Sequence, residues 1–468
     1  MRLSRKCLFF APLLCCISLL YAQAPDTLWT KTYGGTRDDE AYSVQQADDG
    51  GYIIVGLTES FGAGGYDVWL LKTDSFGDTI WTRTYGGVND DYGTSVQQTT
   101  DGGYIIVGNT ASFGAGRGDI WLIKTDSLGD TLWTRTYGDT TPEWAHSVLQ
   151  TADGGYVIGG GYQWGDDYID MLGLIKKVDA VGYELWTAFG GDDFSDIALT
   201  LDGGCIGVGG VYDSHQFWFI FVRKVDSLGN YEWGHTYFNY YLSWGSSIQQ
   251  TKDEGYIILG YTNNQLLLFK TDHQGNVLWD KTYGGASGSS VIEVIRNGYI
   301  VTGAFASRRT RDPDLFLMRT DSLGDTLWTK TYGGNRGYSV QQTADGGYVI
   351  VGRAGDPGYY DIYLVKTALD TFSIEEYEPA HQLCTSLLHI YPNPFYDKVD
   401  IRYQITDKSE IDIDIYDATG RLVKELKNTQ PIIWDGSDNL GKKLPTGVYF
   451  LEFKAGDYLE TRKLILLK

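Results

Sequence analysis

Acidic side chains come in pairs along this chain, and several pairs stand beside aromatic rings: Asp38-Asp39-Glu40, Asp90-Asp91, Glu143-Trp144, Asp192-Asp193-Phe194, and Tyr240-Tyr241 with Trp244 close by. A second set comprises Trp164, Asp166, Asp167, His215, Arg308, Arg309, Arg311, Tyr359 and Tyr360. Rings stack on sugar faces while carboxylates accept hydroxyl bonds, so these residues suit a carbohydrate. The same carboxylate oxygens suit calcium. Glycoside hydrolysis would require two carboxylates at a fixed separation, a relation that linear sequence does not display.

Other chemistries find no support. No stretch has the alternating Asp-x-Asp-x-Asp-Gly calcium layout, and the histidines (His146, His215, His235, His273, His381 and His389) lack metal-ligand spacing. There is no nucleophile elbow and no phosphate-cradling glycine loop. The Gly-Gly after Tyr33 or Tyr85 is turn chemistry. Arg117-Gly118-Asp119 spells an integrin tripeptide by chance. No cofactor is expected, calcium being the one ion the acids could hold.

The elements that position these residues are repeated. Trp29, Trp81, Trp133, Trp186, Trp233, Trp279 and Trp328 recur 46 to 53 residues apart, each in a copy of one phrase best seen as Lys72-Thr73-Asp74, Gly77-Asp78, Trp81, Tyr85-Gly86-Gly87. Period-two reading of one copy gives four short strands. Strand A is Ser95-Val96-Gln97-Gln98-Thr99, and strand B is Tyr104-Ile105-Ile106-Val107-Gly108. Strand C is Ile120-Trp121-Leu122-Ile123-Lys124, and strand D runs Leu132-Trp133-Thr134-Arg135-Thr136-Tyr137. An Asp101-Gly102-Gly103 turn joins A to B. Four antiparallel strands per copy make a propeller blade. The chain opens on a lone strand D, Leu28–Tyr33, and the last copy stops after strand C, Ile362–Lys366, so a seventh blade is completed only by the N-terminal strand. The expected fold is all-β: a seven-bladed β-propeller over 23–368, closed by that strand. The acids and aromatics above fall in its D–A and B–C loops, on the face around a central channel where propeller sites usually lie. Strands A would line the channel. Their Gln45-Gln46, Gln97-Gln98, Gln249-Gln250 and Gln341-Gln342 offer rings of amides, either to a ligand or to the neighbouring blade.

Residues 1–22 combine Arg2, Arg5 and Lys6, an apolar run from Cys7 to Leu20 and a Tyr21-Ala22 exit, the layout of a cleaved secretory signal. Cleavage there removes three positive charges and no acid, taking the net charge from −22 to −25. That balance disfavours nucleic acid and suits a soluble exported protein. No transmembrane helix is expected in the mature chain. Cys205 and Cys384 remain in it, either paired or as two idle thiols.

The Asp, Gly, Trp phrase resembles the tryptophan-docking repeat of quinoprotein-type propellers and, more loosely, the Asp-box turn of sialidases. Both likenesses concern scaffold, with Trp81 or Trp133 docking on the next blade and Asp126 or Asp321 closing its own turn. Residues 369–389, with Glu375-Glu376-Tyr377-Glu378-Pro379, read as an acidic linker. From 390 to 468 a different pattern runs through Pro392-Asn393-Pro394, Gly420, Trp434-Asp435-Gly436, Gly447-Val448-Tyr449 and a terminal stretch from Lys463 to Lys468. It reads as a small Ig-like β-sandwich. It resembles the type A C-terminal sorting domain of type IX secretion cargo. Its Trp-Asp-Gly stretch is also similar to the Ig-like domain of flagellar hook-capping proteins. The resemblance implies the outer-membrane secretion machinery as a partner, and a protein secreted from, or held on the surface of, a Gram-negative bacterium. The expected function is an exported scaffold for ligand binding or adhesion to a carbohydrate or protein. The alternative is a polysaccharide-active glycosidase or lyase using acids of the loop face.

Overall fold

A computed structural model describes residues 24–164, 171–212, 218–237, 243–263, 265–295, 298–305, 313–370, 387–391, 395, 398–404, 411–417, 420–426, 432–455 and 458–467. Residues 1–22, expected to be a leader, most of the expected linker 369–389, Cys384, and the loop residues Asp166, Asp167, His215, Tyr240, Tyr241, Arg308, Arg309 and Arg311 lie outside them. So do Pro392, Asn393, Pro394 and Lys468. The chain divides into two compact units, 1–374 and 375–468.

The first unit holds seven four-stranded antiparallel sheets. Six are built in chain order, as in blade 2, whose strands A to D are Asp91–Gln98, Tyr104–Thr110, Asp119–Thr125 and Thr131–Tyr137. The seventh takes Arg336–Gln342, Tyr348–Asp356 and Tyr359–Thr367 from the end of the repeat and Thr27–Tyr33 from the start. In it Trp29 lies opposite Lys366, and Thr32 opposite Tyr363. The ring is therefore a seven-bladed β-propeller closed by its N-terminal strand, as the unmatched strand D implies.

Strands B and C are covered on both faces by neighbouring blades, which is why they are continuous apolar runs. In blade 1, Tyr52–Thr58 and Asp67–Thr73 are buried along their whole length. Strand D forms the outer rim and alternates exposed and half-buried residues. Its tryptophan meets the next blade's strand B tyrosine. Trp29 and Tyr52 are 5.8 Å apart at 64°, and Trp81 and Tyr104 are 6.0 Å apart at 61°. Such edge-to-face pairs add about 0.5–1.5 kcal/mol each beyond area burial. In blade 4 the strand B tyrosine is replaced by Cys205, a buried free thiol.

Each C–D turn is closed by its own aspartate. Asp126 Oδ1 accepts from the N–H groups of Leu128 and Asp130, and Asp321 from those of Leu323 and Asp325.

The second unit has two sheets. Leu387–Tyr391, Val399–Gln404 and Ile432–Trp434 form one; Leu422–Leu426, Ile411–Asp417, Gly447–Ala455 and Tyr458–Leu466 form the other. Phe395, Ile401, Ile413, Trp434, Tyr449, Leu451 and Leu464 share one core between them. Tyr449 Oη donates to the Pro445 carbonyl at 2.7 Å, and Gly420, at φ +82°, closes the turn from Asp417 to Arg421.

Candidate functional site

Strand A begins earlier than its hydrophobic pattern indicates, at Asp91 rather than Ser95, because the extra residues pair with strand B on the far side of a bulge. All seven A strands carry this bulge, and always at the same place. The register shifts across Tyr42, Thr94, His146, Ser195, Ser246, Ser289 and Tyr338. A bulge leaves one residue out of the ladder and re-aims its side chain. All seven bulge residues line one cavity of 530 Å³ at the centre of the ring.

One residue further on, every blade places a small acceptor: Ser43, Ser95, Ser147, Asp196, Ser247, Ser290 and Ser339. These tie the blades together. Ser43 Oγ accepts from Val96 N–H at 3.4 Å, Ser95 from Val148 at 3.3 Å, and Ser247 from Val291 at 3.3 Å. Asp196 holds its place in the ring by accepting from Ile248 N–H and Ser247 Oγ, each at 3.0 Å, and burial raises its pKa against those bonds. Deeper still, the glutamine rings bond between blades. Gln45 accepts from Gln98 N–H at 2.6 Å, and Gln97 from Gln150 N–H at 2.6 Å. The amides are thus occupied in joining neighbours.

The bulge layer is the chemically varied one. On the latch side, Tyr42 and Tyr338 meet edge-to-face at 5.1 Å, and both phenols donate to Glu40, which pairs with Arg353 at 2.7 Å. Across the channel, His146 Nε2 lies 3.0 Å from Asp193, whose other oxygen accepts from the Trp144 indole at 2.8 Å. Burial opposes the imidazolium, but Asp193 outweighs it and the pKa of His146 is raised. Trp244 donates to Ser195 at 2.6 Å and packs 4.9 Å from Trp218. Arg336 is bonded to Ser289 and makes no ion pair among the described residues.

The acidic pairs split, one member to each of two structural tasks. Asp39 and Asp91 are fully buried. Asp39 accepts from Gly35 N–H and from the Thr58 and Ser60 hydroxyls, and Asp91 from Gly87 N–H. Glu143 occupies the equivalent place in blade 3. The outer members reach to the preceding blade, Asp38 accepting from Tyr360 N–H and Asp90 from Tyr66 N–H. Asp192 accepts from Tyr212 N–H; burial, with Asp193 adjacent, raises it to about 6. Trp164 is 61% exposed on its loop, away from the cavity lining. Of the residues singled out by sequence, Trp244 therefore lines the channel and Asp193, with Trp144 bonded to it, stands behind the channel residue His146, while Asp38, Asp39, Asp90, Asp91 and Asp192 bond loop backbone. His146, Arg336, Tyr42 and Tyr338 were not singled out. For His146, Tyr42 and Tyr338 the signal is a residue that varies in front of a serine that recurs; Arg336, three residues before Ser339, carries no such signal.

Among the described residues no helix is long and apolar enough to cross a membrane, and no three His, Cys, Asp or Glu side chains gather as a metal-binding group.

Residues 389–467 match the family of secretion system C-terminal sorting domains. Among solved structures, the chain is similar to the WD40 β-propeller domain of Doa1, with 12% identity over 72% of this chain and 96% of that one and a TM-score of 0.48. It is similar to Sqt1 from Chaetomium thermophilum, with 10% identity over 74% of this chain and 99% of that one and a TM-score of 0.45. It is also similar to PorZ, an essential bacterial surface component of the type IX secretion system of Porphyromonas gingivalis, with 13% identity, 93% of this chain and 53% of that chain covered, and a TM-score of 0.32. Comparison with curated proteins found no match. The sorting domain marks the protein as cargo of the type IX secretion machinery, secreted or displayed on the cell surface.

Proposed function

We propose that this exported propeller is a binding or adhesion scaffold whose ligand, a carbohydrate, enters the mouth of the central channel. The observation that carries this reading is the coincidence of seven bulges with seven cavity-lining side chains. The deeper serine and glutamine layers are spent on joining blades, whereas the bulge layer departs from the repeat. It brings together rings that stack on sugar faces (Tyr42 and Tyr338, with Trp244 elsewhere in the same lining), hydroxyls that share bonds with sugar hydroxyls (Ser195, Ser246, Ser289), and a histidine donor. Residues 1–22 would serve as the export leader and the Ig-like C-terminal domain as the outer-membrane address.

Binding is preferred to hydrolysis or lyase chemistry because the described lining includes one carboxylate, Asp196, whereas glycosidases work with two. The test is a glycan array probed with the purified protein, repeated with Tyr338→Ala and followed by product analysis on every hit. Loss of one stacking ring should weaken binding about tenfold, worth about 1.4 kcal/mol. Binding unchanged by the substitution, or cleaved product, would overturn the reading.

A further inference from the structure

Where blade 2 meets blade 3, two buried carboxylates converge beside Gly138. Asp119 opens strand C of blade 2 and is 1% exposed; Glu143 opens strand A of blade 3 and is 9% exposed. Each uses one oxygen locally. Asp119 Oδ2 accepts from Ala115 and Gly116 N–H at 3.2 Å, and Glu143 Oε1 accepts from Asp139 N–H at 3.1 Å and the Thr141 hydroxyl at 3.2 Å. The other two oxygens, Asp119 Oδ1 and Glu143 Oε2, are enclosed and have no hydrogen-bond partner. Both lie within 2.5 Å of the position a Cβ on Gly138 would occupy, so they converge on a space that exists because residue 138 has no side chain. Glu143 and Gly138 also line a cavity of 700 Å³, which gives a route in.

The two preceding junctions show what is particular here. Asp361 with Asp39 flank Gly34, and Asp67 with Asp91 flank Gly86, both pairs within 3.0 Å of the equivalent Cβ position. There the strand A acid turns the facing oxygen to donors: Asp39 Oδ2 to Gly35 N–H and Ser60 Oγ, and Asp91 Oδ2 to Gly87 N–H. Replacement of aspartate by the longer glutamate in blade 3 moves one oxygen off those donors and into the gap.

We propose that Asp119 and Glu143 hold a divalent cation of the calcium class between blades 2 and 3. Two carboxylates in a low-dielectric gap repel each other unless a positive charge lies between them. Calcium accepts oxygen ligands from carboxylates, carbonyls and water in a flexible shell, and a site with two carboxylates belongs to the weak, extracellular range of about 10⁻⁴–10⁻³ M. An exported protein meets calcium at such concentrations. The competing occupant is a proton: burial, with repulsion from Asp139 and to a smaller extent from Asp119, raises Glu143 to about 7.

The experiment is thermal unfolding of the purified protein in chelator and in about 10 mM calcium, for wild type, Glu143→Gln and Asp119→Asn, with circular dichroism confirming that each variant folds. Calcium should raise the wild-type Tm by roughly 2 °C or more and leave both variants unmoved. Glu143→Gln should match or exceed the wild type in chelator, since its amide can donate to Asp119. No calcium response in the wild type, or an equal response in Glu143→Gln, overturns the site. A wild-type Tm that rises on acidification from pH 8 to pH 6 without responding to calcium assigns the gap to a proton and overturns it as well.

Discussion

Gly129 lies against the indole of Trp81, so close that a Cβ on the glycine would stand 2.8 Å from Trp81 Cζ3. The same contact joins Trp29 to Gly77, Trp133 to Gly182, Trp233 to Gly275 and Trp279 to Gly324. Each is a strand D tryptophan docked on the C–D turn of the following blade, and the neighbouring strand D tyrosine donates to the same turn, as Tyr137 does to the Gly182 carbonyl at 2.7 Å. The repeated tryptophan and the repeated turn glycine are thus two halves of one interface between blades.

Two glycines with nearly the same backbone separate conformation from docking. Gly129 has φ +80° and Gly102 has φ +81°, but Gly102 has nothing within 4 Å of its would-be Cβ. Gly102→Ala should cost only the left-handed backbone penalty, roughly 1–2 kcal/mol. Gly129→Ala adds overpacking against Trp81, bringing the loss to roughly 2–5 kcal/mol. Chemical denaturation of the two variants side by side checks the difference; equal losses would mean that the indole yields freely and the docking is soft.

A second repeated pair predicts acid behaviour. Lys72, Lys124, Lys177, Lys224, Lys270 and Lys366, with Arg319 standing in for them in blade 6, are all 5% exposed or less. In blade 2 Lys124 reaches Asp101 at 2.9 Å. Burial alone would raise the Asp101 carboxyl, but the Thr99 hydroxyl, Lys124 and Gly103 N–H together hold it at about 2. A carboxylate whose pKa is lowered by folding stabilises the fold above its ordinary value of 3.8, and that contribution is lost as pH falls toward 2. Asp101→Asn should therefore flatten stability against pH between about 4 and 2. At pH 7 it should cost about 1–2 kcal/mol, below the value for a fully enclosed pair because the Asp101 side chain is 59% exposed. Urea unfolding across that pH range reads both effects.

The parts of this architecture written in short stretches are readable from sequence. The Asp126 to Trp133 phrase carries its turn chemistry and its rim position within eight residues, and the unpaired strand around Trp29 implies closure by counting alone. The bulge layer is hidden for a physical reason. A bulge is a relation between two strands, visible only once Ala145 and Ser147 are paired with consecutive residues Gly160 and Gly159, leaving His146 over. The acidic pairs are hidden for another. Asp38 and Asp39 are chemically alike, and only the path of the D–A loop decides that Asp39 enters the blade junction while Asp38 bonds the preceding blade. Glutamate at 143 differs from Asp39 and Asp91 by one methylene, a change that acquires meaning only beside Asp119.

The charge state of the channel follows from His146. Burial disfavours its imidazolium, while Asp193 at 3.0 Å and the charge of Asp196 favour it and prevail, so the ring titrates above its ordinary 6.5. A histidine whose pKa is raised by folding contributes stability that is complete below 6.5 and disappears as pH rises through the raised value. Asp193→Asn keeps an acceptor for the Trp144 indole and removes the charge. NMR titration of the His146 Cε1–H should then give a midpoint above 6.5 in the wild type and a lower one in the variant. The stability advantage of wild type over variant should shrink as pH rises past the wild-type midpoint, and any glycan that accepts a hydrogen bond from the imidazolium should bind more weakly over the same interval. A midpoint insensitive to Asp193→Asn would detach the histidine from its carboxylate and leave the channel's donor without a means of staying charged.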